Sequence, residues 1–248
     1  MCQANHLPGQ HYPPDWHKRP LKLEQIDVPP EQPRTPKLDI FYHGYLGSQD
    51  TAGFIRDVAR DYTVATLQRL VSHGKCESRR GGVLALGFLG TYDSNAVLGR
   101  ALNDEDRVVR NLAEHGIRSL WQRAGTELQQ QRLQQIIRLI ASGNCRKAVR
   151  LATALVEQAP WFAEAWNQRA IAYHCLGRFA ESVRDCSQAL EINPYHFGAA
   201  IGMGHCYLSV NNRVSALESF RRAYRVNSNL EAVRLQVVRL EKLLKRES

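Results

Sequence analysis

The stretch "CLGRFAESVRDCSQALEINP" (Cys175–Pro194) decides the fold. It returns 34 residues upstream as "ASGNCRKAVRLATALVEQAP" (Ala141–Pro160) and 34 residues downstream as "SVNNRVSALESFRRAYRVNS" (Ser209–Ser228). The surface residues differ, but the skeleton does not. Gly143, Gly177 and Asn211 fall at one place, and glycine and asparagine accept the left-handed backbone of a tight helix–helix bend. Ala148, Ser182 and Ala216 follow, then Leu155, Ala189 and Ala223; small residues at most of these positions let one helix press closely on its neighbours. Leu139, Tyr173 and Tyr207 supply a large side chain before each bend, and Pro160, Pro194 and Ser228 close each unit. A lone pair of such helices cannot bury its apolar faces, so the copies stack into one continuous core.

The full middle unit, "AEAWNQRAIAYHCLGRFAESVRDCSQALEINP" (Ala163–Pro194), resembles the tetratricopeptide repeat at Trp166, Tyr173, Gly177, Ala189 and Pro194. It departs from that pattern at Ala170 and Ser182, both small. The third copy keeps Gly204, Tyr207, Ala216, Phe220 and Ala223 but has Ala200 for the tryptophan, and the first has Arg132 there. The resemblance covers about residues 129–230. It implies a concave groove lined by the first helix of each unit, here Leu133, Ile137, Asn167, Gln168, Ile171, His174, Ile201, His205 and Leu208. Family members that hold chaperone tails use a cationic carboxylate clamp. The matching positions, Leu133, Ile137, Gln168, Gly198 and Gly202, carry no cation, so no Hsp70/Hsp90-type ligand is expected. A partner helix with apolar anchors or an extended apolar segment suits these residues better. The chain's own "LDIFYHGYL" (Leu38–Leu46) is a further candidate occupant.

Upstream, helical periodicity runs from about Asp50 with a second interval of 31 residues. "SRRGGVLALGFLG" (Ser78–Gly90) aligns with "VRNLAEHGIRSLW" (Val109–Trp121), and Leu67 with Leu98. This pattern resembles the HEAT repeat in the short form of bilin-lyase-like proteins. Asp104, Glu105 and Asp106 stand where a helix start favours anions. The pair Gly81–Gly82 is costly inside a helix and marks a close helix crossing. The expected architecture is all-α: a proline-rich extended arm over 1–45, HEAT-like hairpins over 46–125, three tetratricopeptide units over 126–230, and a capping helix over 231–248. The cap "LEAVRLQVVRLEKLLKRES" is apolar at Leu230, Val233, Val237, Leu240 and Leu244.

Eight of the ten prolines lie within the first 36 residues, which sets the arm apart because proline removes a backbone donor. "PEQPRTP" there holds two P-x-x-P spacings of the kind an SH3-type groove accepts. The start lacks a secretory pattern and no apolar run spans a membrane, so a cytoplasmic location is expected. Six cysteines without C-x-x-C spacing fit a reducing compartment. Nothing resembles a nucleophile elbow, phosphate loop or dinucleotide fingerprint, so no catalytic residue, cofactor or metal is expected. His174, Cys175 and His205 are the one set to weigh as metal ligands. The net charge is +9, most of it downstream of residue 126. The sequence therefore reads as a non-enzymatic scaffold that grips a protein partner. Two alternatives stay open: nucleic-acid binding through Arg79, Arg80, Arg110, Arg221, Arg222 and Arg225, or a bilin-lyase-like accessory role. Against the first, aromatic residues are not interleaved with these arginines.

Overall fold

Side-chain caps set where several helices begin, because the first backbone N–H groups of a helix have no partner inside it. In the computed structural model, which describes residues 35–247, the upstream helices are α1 (Lys37–Ser48), α2 (Thr51–Asp61), α3 (Val64–His73), α4 (Cys76–Leu89), α5 (Asn95–Ala101) and α6 (Arg107–Gln122). Asp50 caps α2 by accepting from Gly53 N, Thr63 caps α3 from Thr66 N, and Asp106 caps α6 from Val109 N. Asp106 also receives both Arg80 Nε and Nη2, at 3.0 and 2.7 Å. That ion pair, followed by the cap bond, holds its carboxyl well below the usual range.

The hairpins α3/α4 and α5/α6 recur at the 31-residue interval read from the sequence, with Leu67 and Leu98 fully buried. Helix α4 packs against α1, α3 and α6. Its glycines permit this: a Cβ on Gly81 would come within 3.1 Å of Leu38 Cγ, and one on Gly82 within 2.9 Å of Val71 Cγ2. Where α4 crosses α6, Gly87 meets Gly116 backbone to backbone.

Two expectations change here. Residues 37–45, assigned to the extended arm, are helical in α1. "LDIFYHGYL" does not occupy the repeat groove either: α1 packs on α4 and buries Leu38 and Tyr42 there. The apolar spacing of that segment serves the upstream core. Of the P-x-x-P stretch, Thr35 and Pro36 lead into α1, and the arm before them lies outside the described residues.

The repeats follow as three hairpins: α7 (Glu127–Ala141) with α8 (Cys145–Gln158), α9 (Ala163–Cys175) with α10 (Phe179–Ile192), and α11 (Phe197–Ser209) with α12 (Arg213–Val226). A capping box between Thr126 and Gln129 opens α7. Each hairpin bend is the same motif. Gly143, Gly177 and Asn211 adopt φ of +76°, +71° and +57°. The N–H of Asn144, Arg178 and Asn212 returns to the carbonyl of Leu139, Tyr173 and Tyr207 at 2.8, 2.9 and 2.8 Å. This is the doubly bonded left-handed helix ending, made three times. Ala148, Ser182 and Ala216, and then Leu155, Ala189 and Ala223, are all buried at the crossings. Ser182 fits among them because its hydroxyl donates to Ala170 O at 2.8 Å. Helix α13 (Glu231–Glu247) lies on α12 and buries Val233 and Leu240.

The two helical regions do not simply continue one another. After α6 the chain folds back, and α5 and α6 dock on the links at either end of the third repeat, the one from α10 and the one to α13. Trp121 stacks on His196, with ring centroids 4.3 Å apart, and packs on Phe197. Its indole N–H donates to Asn95 Oδ1 at 2.7 Å, and Asn95 Nδ2 donates to Asn193 Oδ1 at 2.9 Å. One link along, Asn103 Nδ2 donates to Arg225 O at 3.0 Å, and Arg110 Nε donates to Asn229 Oδ1 at 2.9 Å.

Candidate functional site

The residues expected to line the groove separate into three groups. Ile171, His174, Ile201 and His205 come together around a cleft of about 250 Å³ between α9, α10 and α11. Ser182, Cys186 and Gly202 complete it. Ile171 is 37% exposed, large for an isoleucine in a packed helix. The absent side chain of Gly202 leaves room over the Cys186 sulfur, 3.2 Å from where a Cβ would stand. Burial and then the nearby Cys206 push the Cys186 thiol up to about 12, so it is an apolar wall rather than a nucleophile. His205 lies edge-on to Phe220. Desolvation, followed by the charge of His174, lowers its pKa, so the cleft disfavours a proton on the His205 ring.

Ile137 and Leu208 form the second group, half-buried and packed against the cores of the first and third repeats. The third group is not available to a ligand. Leu133 is fully buried in the first repeat, because α7 turns that face toward its own hairpin. Asn167 is 7% exposed, and its amide donates weakly to Glu164. Gln168 donates to Glu164 Oε1 at 2.6 Å. Both amides thus serve an internal carboxylate.

That carboxylate is the feature the sequence reading missed. Glu164 is buried and accepts from His196 Nε2 at 2.8 Å. His196 Nδ1 in turn accepts from Ala199 N at 3.1 Å, which leaves Nε2 as the nitrogen that donates to Glu164. Burial pushes the Glu164 pKa up, but the hydrogen bonds from His196, Gln168 and Asn167 outweigh it and hold the group below its ordinary value. With Trp121 stacked on the same imidazole, this chain of contacts ties the second repeat to α6. The aromatic run "YHF" (Tyr195–Phe197) inside a link between repeats was the available signal.

His174, Cys175 and His205 do not assemble as ligands. The two imidazoles line the cleft, whereas Cys175 is exposed and interacts with Cys145. Among the described residues no group of three or more His, Cys, Asp or Glu side chains is placed to hold a metal ion. Most of the arginines considered for nucleic acid are already engaged. Arg79 pairs with Asp104 and Glu105, Arg80 with Asp106 and Glu77, and Arg221 with Glu241. Arg110 bonds Asn229 and the Asp104 carbonyl.

Stacked helical hairpins with identical bends, crossings of small residues and a cleft along their first helices define an α-helical repeat protein. Residues 163–196 match the tetratricopeptide repeat family, and the chain carries that repeat. Among curated proteins it is similar to the protein SGT1 homolog of Bos taurus, 34% identical over 76 residues, covering 31% of this chain and 22% of that protein. The SGT1 homolog of Homo sapiens is 31% identical over 97 residues, 39% of this chain and 27% of that one. The chain thus spans about a quarter of the length of these relatives. Among solved structures, the first tetratricopeptide domain of human RPAP3 aligns with a TM-score of 0.46 and 18% identity, over 49% of this chain and 96% of that one. The TPR2AB domain of yeast Sti1, solved in complex with pHSP90, aligns at 0.44 and 14%, over 83% and 97%. Among the described residues, no helix is long and apolar enough to cross a membrane.

Proposed function

We propose that the chain is a non-enzymatic adaptor whose second and third repeats bind a partner protein. The partner inserts an apolar anchor, from a helix or a short extended segment, into the cleft between Ile171 and Ile201. The observation that carries this reading is the cleft itself: two isoleucines on successive first helices, two imidazoles and no lysine or arginine among its lining residues. In support, four of the lining residues, Ile171, His174, Ser182 and Cys186, fall within the stretch that matches the tetratricopeptide repeat. The upstream hairpins, assigned on their sequence pattern to the HEAT class, act as a brace against the links at either end of the third repeat and leave the cleft open.

A photo-crosslinking residue at position 171 tests this. The expected product is a discrete adduct, and the partner it identifies is expected, in a separate pull-down without crosslinker, to be lost from the Ile171→Glu protein and retained by Ile40→Glu, a control at an exposed isoleucine of α1. Equal retention by both variants would refute the assignment. A peptide ending in Glu-Glu-Val-Asp is expected not to bind; micromolar binding in calorimetry that depends on its terminal carboxylate would contradict a cleft that lacks lysine and arginine.

A further inference from the structure

The second and third repeats treat the outer cleft between their own two helices in opposite ways. In the second repeat it is filled from within. Trp166 lies across it with its indole N–H donating to Pro160 O at 2.8 Å. The Arg169 guanidinium stands 4.8 Å from the Trp166 ring and 5.8 Å from the Tyr173 ring. Arg169 is locked on Asp185 by two hydrogen bonds of 2.7 and 2.8 Å. A cation between two aromatic faces and paired with a carboxylate leaves nothing unsatisfied.

Thirty-four residues on, three of those four side chains are replaced. Ala200 stands for Trp166, Met203 for Arg169 and Ser219 for Asp185, while Tyr207 keeps the place of Tyr173. The result is an open cleft of about 520 Å³ with Ala200, Met203, Tyr207 and Ser219 in its walls. Three arginines stand around it. Arg221 is held by Glu241, but Arg222 and Arg225 are exposed and make no side-chain ion pair or hydrogen bond among the described residues. Glu218 is the single acid lining it. The third repeat therefore lacks both the aromatic ring and the carboxylate that complete the second, and offers unpaired cations in their place.

We propose that this outer cleft is a second binding site, which takes an acidic peptide segment bearing a large aromatic side chain. The aromatic ring enters the slot vacated at Ala200, against Met203 and Tyr207, and flanking carboxylates meet Arg222 and Arg225. The second repeat supplies the precedent, since there the same cleft accepts an indole beside an arginine–carboxylate pair. Complementary charge favours this occupant, because most of the net positive charge of the chain lies downstream of residue 126. The site goes beyond the adaptor reading and shares no lining residue with the cleft at Ile171 and Ile201, so either can fail alone.

The sequence holds two methionines, Met1 and Met203, so ¹³C-methyl-methionine labelling of the full chain places a reporter inside the cleft. The probe is acetyl-Glu-Asp-Trp-Asp-Glu-amide, compared with the same peptide carrying alanine for tryptophan and with a ten-residue oligothymidylate. The Met203 methyl resonance is expected to move saturably with the tryptophan peptide, with affinity about tenfold weaker for the alanine peptide. The paired Arg222→Glu and Arg225→Glu substitutions, both on exposed side chains, are expected to weaken it at least about tenfold. Ala200→Trp supplies the ring internally and should abolish the response. Because Ala200 is itself buried, the arginine variant decides the matter if Ala200→Trp does not fold. Absence of a saturable Met203 shift, equal binding by the arginine variant, or tighter binding of the oligothymidylate would each overturn the proposal.

Discussion

At residue 177 the backbone turns through φ of +71° with open space where a Cβ would go. The only obstacle to a side chain there is the left-handed conformation, which costs an L-residue about 1–2 kcal/mol. Gly177→Ala is therefore expected to lower unfolding stability by about 1 kcal/mol in denaturant titration, leaving the fold unchanged. Glu164 obeys a different rule, because its carboxylate is buried and satisfied only by His196, Gln168 and Asn167. Glu164→Gln leaves acceptors and donors mismatched and is expected to cost about 1–3 kcal/mol at pH 7. The folded pKa is lowered, so the wild-type contribution is complete above the unfolded value of about 4.3 and lost as pH falls through the folded one. The denaturant midpoint of the Gln variant should accordingly fall less steeply than that of wild type below about pH 4.3. An equal slope would show that Glu164 does not carry this part of the acid sensitivity.

Among the elements, the crossings of paired helices leave the least room. Ala189 is fully buried where α10 meets its neighbours, and a leucine there must displace packed atoms. Ala189→Leu is expected to cost about 1–3 kcal/mol, measured as a lower denaturation midpoint with an unchanged slope. This crossing, the three bends and the buried faces of α8, α10 and α12 were legible in the sequence because each depends on residues a fixed short distance apart. The groove was less so. Helix periodicity places Leu133 and Asn167 on the same nominal face as Ile171, but it carries no information on how far each hairpin rotates against its neighbour. That rotation buries Leu133 completely and turns Asn167 toward Glu164.

For the whole molecule, the docking of α5 and α6 on the links at either end of the third repeat couples two arrays that the 31- and 34-residue intervals present as separate. Trp121 is the centre of that contact, 3% exposed and shared between Asn95, His196 and Phe197. Trp121→Ala is expected to cost about 3–5 kcal/mol and to split one cooperative thermal transition into two. A single transition with an unchanged midpoint would show that the arrays do not stabilise one another. Gly99 guards the same surface, since a Cβ there would stand 2.2 Å from Tyr195 Cδ1, so Gly99→Ala should have a similar though smaller effect.

By itself the sequence determined the all-helical class, the two intervals, the left-handed bends and the small residues at each crossing, all consequences of local backbone sterics and near-neighbour packing. The tertiary structure alone decided that the chain folds back at α6, that "LDIFYHGYL" packs on α4, and that Glu164, His196 and Trp121 meet. It also decided which arginines remain free. Those contacts join residues tens of positions apart with no repeating interval, and only the geometry of the folded chain sets their distances.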